Sequence, residues 1–220
     1  MNKSFNSQQK IYLSLSEDRN DYHPYSIARA SHLLNFSFLP NLKFLDWQVE
    51  NRIRNLCNKS EKRGLISPLA KWLGKLHKQE IHKPTIPPVA ICWINSYIGY
   101  GVFAREDIAP WTYLGEYAGI LRQRKNIWMD ENDYCFRYPL PLFTFRYFTI
   151  DSEQSGSFTR FINHSDQPNA EAIGMFYEGI FRVIIRSIQP IRTGEEICYH
   201  YGPLYWKHRK KRKEFIPIEG

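Results

Sequence analysis

A chain of 220 residues with 14 Tyr, 14 Phe and 6 Trp can bury one sizeable core, or one domain with a smaller appendage. No apolar run approaches the roughly 18 to 20 residues that a helical membrane span needs, so no membrane contact is expected. The net charge of +8 divides unevenly: residues 1–88 carry 14 Lys and Arg against 7 Asp and Glu, residues 89–206 carry 10 against 13, and residues 207–220 carry 6 against 2.

The start, Met1 to Lys10, is polar and expected to be disordered, and it lacks the apolar centre of a secretory signal. A cytoplasmic protein fits. Export without a cleaved signal, by a contact-dependent secretion machine that reads flexible N-termini, fits equally. From Asp21 to about Gln79 the pattern is helical in short pieces. Asp46 is placed to cap a helix whose Val49, Ile53 and Leu56 or Cys57 share a face, and Ser67-Pro68 opens another with the stripe Leu69, Trp72, Leu73 and Leu76. These stripes suit a core or a homodimer interface. Lys83-Pro84-Thr85-Ile86-Pro87-Pro88 forbids a helix and is read as the linker closing an N-terminal region, residues 1–88.

Val89 to Ile94 reads as a buried strand, followed by a glycine turn and the short strand Gly101 to Ala104. Thr112 to Tyr117, Phe145 to Asp151 and Phe181 to Ile185 read as further strands, Gln123 to Asp133 as a short helix, and Glu178-Gly179 as a turn. Cys57, Cys92, Cys135 and Cys198 stand singly, without Cys-x-x-Cys or a Cys/His cluster, so no metal site is expected and a reducing compartment fits. Lys207 to Lys213 holds six Lys or Arg in seven positions, a nuclear signal, a nucleic-acid contact or a solvated tail. An acidic centre between basic flanks suits a cationic partner at the centre and a polyanion such as DNA at the flanks; ordinary solvation explains the flanks as well.

Four stations stand out in order: Gly99-Tyr100-Gly101, Glu116-Tyr117-Ala118-Gly119, Arg160-Phe161-Ile162-Asn163-His164-Ser165-Asp166-Gln167-Pro168-Asn169, and Glu195-Glu196-Ile197-Cys198-Tyr199-His200-Tyr201. Together they resemble the SET-domain family of protein lysine methyltransferases, in particular the small SET proteins of obligate intracellular bacteria. The resemblance runs from about Val89 to Trp206, so residues 89–206 are read as a SET domain and residues 207–220 as a basic tail. It implies a mainly β fold with helical additions: small curved sheets with a C-terminal pseudoknot, preceded by the helical N-terminal segment.

It also implies S-adenosyl-L-methionine as cofactor and histones or histone-like proteins as substrate. A catalytically silent chromatin or nucleic-acid adaptor, and a methyltransferase of non-chromatin proteins, are the alternatives. By position in the motifs, Tyr201, Tyr117 and Tyr199 take the catalytic channel. Gly99, Tyr100, Gly101, Tyr134, Arg160, Asn163, His164, Tyr201 and Trp206 take the cofactor. A tyrosine at 199, where relatives carry Phe or Tyr, implies a bias toward monomethylation. Asp166 stands where many members have a zinc ligand, His200 where an Asp is usual, and Trp111 where a turn glycine is common. With no closing cysteines, channel closure is expected from the aromatic tail that reaches Trp206.

Overall fold

The structure, a computed structural model, describes Phe5, residues 8–16, Asp18, and residues 21–125, 132–141, 147–203 and 205–206. The chain opens with β1 (Lys10–Ser14), β2 (His23–Ser26), α1 (Ile27–Leu33), β3 (Ser37–Phe38) and β4 (Lys43–Phe44), then forms α2 (Trp47–Lys62), α3 (Pro68–Leu76) and α4 (Lys78–His82). Strands follow: β5 (Val89–Asn95), β6 (Gly99–Ala104), β7 (Tyr113–Glu116), β8 (Ile120–Gln123), β9 (Cys135–Arg137), β10 (Phe148–Asp151) and β11 (Ser155–Gly156). A 3₁₀ turn at Phe158–Phe161 leads to β12 (Asn163–His164), β13 (Ala170–Tyr177), β14 (Ile180–Ser187) and β15 (Glu196–Tyr199).

The helices start at their caps. Asp46 accepts the Val49 N–H at 2.7 Å, Ser67 accepts the Ala70 N–H at 3.1 Å, and Pro68 occupies the first turn of α3. Val49, Ile53 and Cys57 of α2 are buried as the spacing predicts. The stripe on α3 divides: Leu73 is buried, while Leu69, Trp72 and Leu76 face outward. Gly74 explains the split, because a Cβ there would lie 2.0 Å from the Phe176 carbonyl oxygen of β13. The helix therefore rests its narrowest face on the sheet, turning the neighbouring leucines out.

The helical reading of residues 1–88 omits four strands. β1 pairs parallel with β5 (Tyr12 beside Ala90) and antiparallel with β2, so the N-terminal region extends the same sheet across the proline stretch. Strands of two to five residues show little period, and partners far along the chain stabilise them. Gln123 ends β8 instead of opening a helix; residues 126–131 of that expected helix and the basic tail lie outside the described residues.

The large sheet runs β2-β1-β5-β6-β15-β13-β14-β7, with β12 also pairing β15; β4-β8-β10-β9 form a second sheet and β11-β3 a third. Glu178 and Gly179, both at positive φ (52° and 76°), make the tight turn that pairs β13 with β14 in register. The late strand β15 lies between β6 on one side and β12 and β13 on the other. Asn169 locks it there, accepting the Cys198 N–H at 2.9 Å and donating to the Glu196 carbonyl at 2.8 Å. The last strand of the described residues is thus an inner strand of the sheet.

Two apolar cores meet near this strand. One gathers Ile11, Leu13, Val89, Ile91, Val102 and Ile197 and includes Tyr199; the other joins Ile53 and Cys57 of α2 to Leu121, Ile150 and Phe181 and includes Tyr117. Phe136 packs against both. Among the described residues no helix is long and apolar enough to cross a membrane.

Candidate active site

Tyr117, Tyr199 and Tyr201 are brought together where the two cores meet. Tyr201 follows β15; its hydroxyl donates to the Ile162 carbonyl at 2.7 Å and its backbone N–H donates to His164 Nδ1 at 3.1 Å. Its ring lies 4.9 Å from that of Tyr199 and 4.6 Å from that of Tyr205. Tyr117 follows β7, donates its hydroxyl to the Tyr134 carbonyl at 2.9 Å and packs on Phe136.

Removal from water pushes the Tyr117 hydroxyl well above the usual tyrosine range, with Tyr201 nearby adding to the effect. Tyr199 is pushed up in the same way, by burial first and then by Tyr117 and Tyr205. Both hydroxyls are therefore protonated donors at any ordinary pH. Neither supplies a base.

On the other side of β15 lies the glycine turn. Gly99 has φ +82° and faces open space, while the Asn95 side chain accepts the Tyr97 and Ile98 N–H groups to hold the turn. Gly101 is required for a different reason: a Cβ there would meet Glu196 Oε1 at 2.6 Å and Ile94 Cδ1 at 2.7 Å. Asn163 donates to the Tyr100 carbonyl at 3.2 Å and to Glu196 Oε1 at 2.8 Å, tying β6, β12 and β15 together. Both protons of its amide are thus committed, and Oδ1 is the atom left for a ligand. Tyr100 sets its ring edge-on to Trp93 and Phe161, and burial raises its hydroxyl pKa.

The Arg160 guanidinium lies 3.8 Å above the Tyr134 ring, with Phe36 and Phe161 on its flanks, and its buried Nε meets no hydrogen-bond partner among the described residues. Tyr134 remains partly exposed. Trp206 sets its ring against His164 at 5.0 Å and against Tyr205 at 5.2 Å, so the aromatic tail does come back onto the β12 segment.

His164, Asp166 and His200 bring their ligand atoms within 4.8 Å of one another. The tautomers speak against a metal there. His164 Nδ1 accepts the Tyr201 N–H and His200 Nδ1 accepts the Gly202 N–H at 3.0 Å, so each neutral ring carries its proton on Nε2, the atom that faces Asp166. A metal would have to displace both protons or both backbone bonds.

Several participants escaped the sequence reading. Tyr205 packs on Tyr201, while Trp206 packs on His164; the place of Tyr205 beside Trp206 in the tail was the available signal. Phe136, Glu196 and the Ile162 carbonyl carry no signal of their own, being defined by what they touch. Glu116, part of the second station, turns out to be structural: it is buried, takes Arg182 at 2.9 Å and accepts from Asn41 at 2.9 Å. Trp111, where a glycine is common, adopts the left-handed backbone at φ 65°.

This fold and these stations define a SET domain: residues 99–202 match the SET domain family. Among curated proteins, the chain is 37% identical over 112 residues to the histone-lysine N-methyltransferase set-2 of Caenorhabditis elegans, covering 47% of this chain and 7% of that protein. It is 30% identical over 136 residues to the histone-lysine N-methyltransferase ash1 of Drosophila melanogaster, covering 58% of this chain and 6% of that one. The chain thus spans less than a tenth of the length of these relatives. Among solved structures, ATXR5 in complex with histone H3.1 superposes with a TM-score of 0.61 at 20% identity, covering 80% of this chain and 86% of that one, which is a likeness of fold.

Proposed function

We propose that this protein is an S-adenosyl-L-methionine-dependent protein-lysine N-methyltransferase that acts on histones or histone-like basic proteins. The observation that carries the proposal is the convergence of Tyr117, Tyr199, Tyr201 and Tyr205 on one enclosed cluster beside the Asn163–His164 strand. The histone-lysine methyltransferase activity named for its relatives supports the reaction. The histone H3.1 bound to ATXR5 and the acidic balance of residues 89–206 favour a basic protein substrate.

The residues suit the cofactor. Open space at Gly99, the remaining Oδ1 of Asn163, the backbone of His164, and the part-exposed rings of Tyr134 and Trp206 offer an acceptor for an ammonium and flat faces for an adenine. Arg160, Tyr100 and Gly101 hold that surface in place. When bound, the cofactor supplies an electrophilic sulfonium methyl.

The chain's own residues must do the rest. A lysine amine has a pKa of about 10.4 in water and reacts only when neutral. Burial among the tyrosine rings disfavours its charged form, so the proton leaves to solvent before transfer and no strong base is required. Tyr201 donates its proton to the Ile162 carbonyl, which fixes its oxygen beside the space where the amine would be oriented. The Tyr199 hydroxyl narrows the same space, which favours monomethylation.

Labelled cofactor offered with histones, bacterial DNA-binding proteins and ribosomal proteins separates this reading from its rivals. Transfer to histones or DNA-binding proteins is expected. Transfer only to ribosomal proteins would move the substrate class, and no transfer to any of them, nor to the protein itself, would sink the enzyme reading in favour of an adaptor.

A further inference from the structure

The outer face of α3 carries a stripe of exposed apolar side chains. Leu65, Leu69, Trp72 and Leu76 are 45%, 49%, 53% and 50% exposed, and the last three follow the i, i+3, i+7 spacing of a single helical stripe. None of them is a frayed end. α3 is pinned to β13 through Gly74, and Ala70 and Leu73 supply its buried face, so the exposed leucines are surplus to the core.

The rim is cationic. Lys75 lies on α3, Lys78 and Lys83 line the depression beside Leu76, and Lys62 and Arg63 precede Leu65 in the chain; all are exposed, and among the described residues none of the five enters an ion pair, while Lys71 is held by Glu61 at 3.0 Å. The stripe runs at its C-terminal end into a shallow depression lined by Leu76, Lys78, Gln79, Glu80 and Lys83, where Glu80 already faces His77.

We propose that this face docks an acidic segment of another protein, with apolar side chains at helical spacing that cover Leu69, Trp72 and Leu76 and carboxylates that meet the lysine rim. A second copy of the chain would bring the same five cations against these, and like charges oppose that contact. Nucleic acid would satisfy the lysines but has no apolar face for three leucines and a tryptophan. A lipid surface is flat and would leave the depression unfilled, whereas a protruding protein side chain fills it. The inference stands apart from the proposed transferase reaction, since none of these residues belongs to the tyrosine cluster.

The test uses the full chain and a fluorescent synthetic helical peptide carrying Leu or Trp at i, i+3 and i+7 and Glu elsewhere, followed by anisotropy. Saturable binding is expected, lost with the Lys-for-Glu analogue, and weakened at least tenfold by Trp72→Ala with Leu76→Ser. Lys75→Glu with Lys78→Glu should weaken it comparably and restore binding to the Lys analogue. All four positions are exposed, and unchanged melting temperatures verify that the variants fold. Equal binding to wild type and variants, or no binding, overturns the proposal. So does Trp72-dependent dimerisation in sedimentation, or capture by phosphatidylserine vesicles without peptide binding.

Discussion

In the reaction we propose, Tyr201 contributes one hydroxyl and one backbone N–H, and the two can be separated. Tyr201→Phe keeps the ring against Tyr199 and Tyr205 and the N–H bond to His164, removing the hydroxyl proposed to orient the amine together with its bond to the Ile162 carbonyl. Methyl transfer should fall by about 100-fold or more, measured with labelled cofactor, while the melting temperature stays nearly constant. Tyr199→Phe removes a hydroxyl from the same space. Mass spectrometry of the product peptide should then shift from mainly monomethyl toward di- and trimethyl-lysine; mainly trimethyl product from the unaltered protein would refute the role given to Tyr199.

Burial of these phenols also shapes alkaline stability. Tyr117, Tyr138 and Tyr199 sit well above their ordinary range because they are desolvated, and Cys198 is pushed up to about 12 for the same reason, with Glu196 adding to it. Each is a raised pKa, so the unfolded chain loses its protons first as pH climbs. The stability these groups contribute is fully present below the unfolded values, about 8.5 for Cys and 10 for Tyr, and drains away above them. Melting temperature should decline with pH from about 9 upward, beginning with the thiol. A curve that stays flat beyond pH 11 would contradict the desolvation of these groups.

At the scale of elements, α3 and β13 show how one missing side chain orients a helix. Gly74→Ala drives a Cβ into the Phe176 carbonyl, backbone that has no freedom to withdraw, so the helix must lift from the sheet. The expected cost is about 1–3 kcal/mol in denaturant unfolding. Wild-type stability in that variant would mean that α3 does not rest on β13. The helix starts were legible in the sequence because caps act within three residues: Asp46, Ser67 and Pro68 announce α2 and α3 directly. The orientation of α3 was not, because Leu69, Leu73 and Leu76 look alike until Phe176 and Gly74 decide which of them faces inward.

Across the whole molecule, a buried network joins the N-terminal region to the SET domain. Asn41 and Arg182 both close on Glu116, and the carboxylate compensates the charge of an arginine that is itself buried; desolvation would lower the Arg182 pKa, yet Glu116 beside it holds it above its ordinary value. Glu116→Gln removes the nearer counter-charge of that guanidinium and leaves Glu178 at 3.9 Å. Chemical denaturation should register a loss of about 3–5 kcal/mol, with methyl transfer at low temperature reduced far less than by Tyr201→Phe. Inactivation without loss of stability would instead move Glu116 into the reaction.

The sequence by itself determined the four stations, their order, the β-rich character after Val89 and the helix caps before it, because motif spacing and capping are local and survive without coordinates. It also pointed to Tyr117, Tyr199 and Tyr201, which the fold does bring into one cluster. Only the tertiary structure decided that β1 joins β5 across the proline stretch, that the protons of the Asn163 amide serve neighbouring strands, that Tyr205 packs on Tyr201 and Trp206 on His164, and that Glu116 holds the fold together. Those outcomes depend on pairs far apart in the chain, whose energies arise from burial and hydrogen-bond completion once the strands meet, and no local pattern records which pairs will meet.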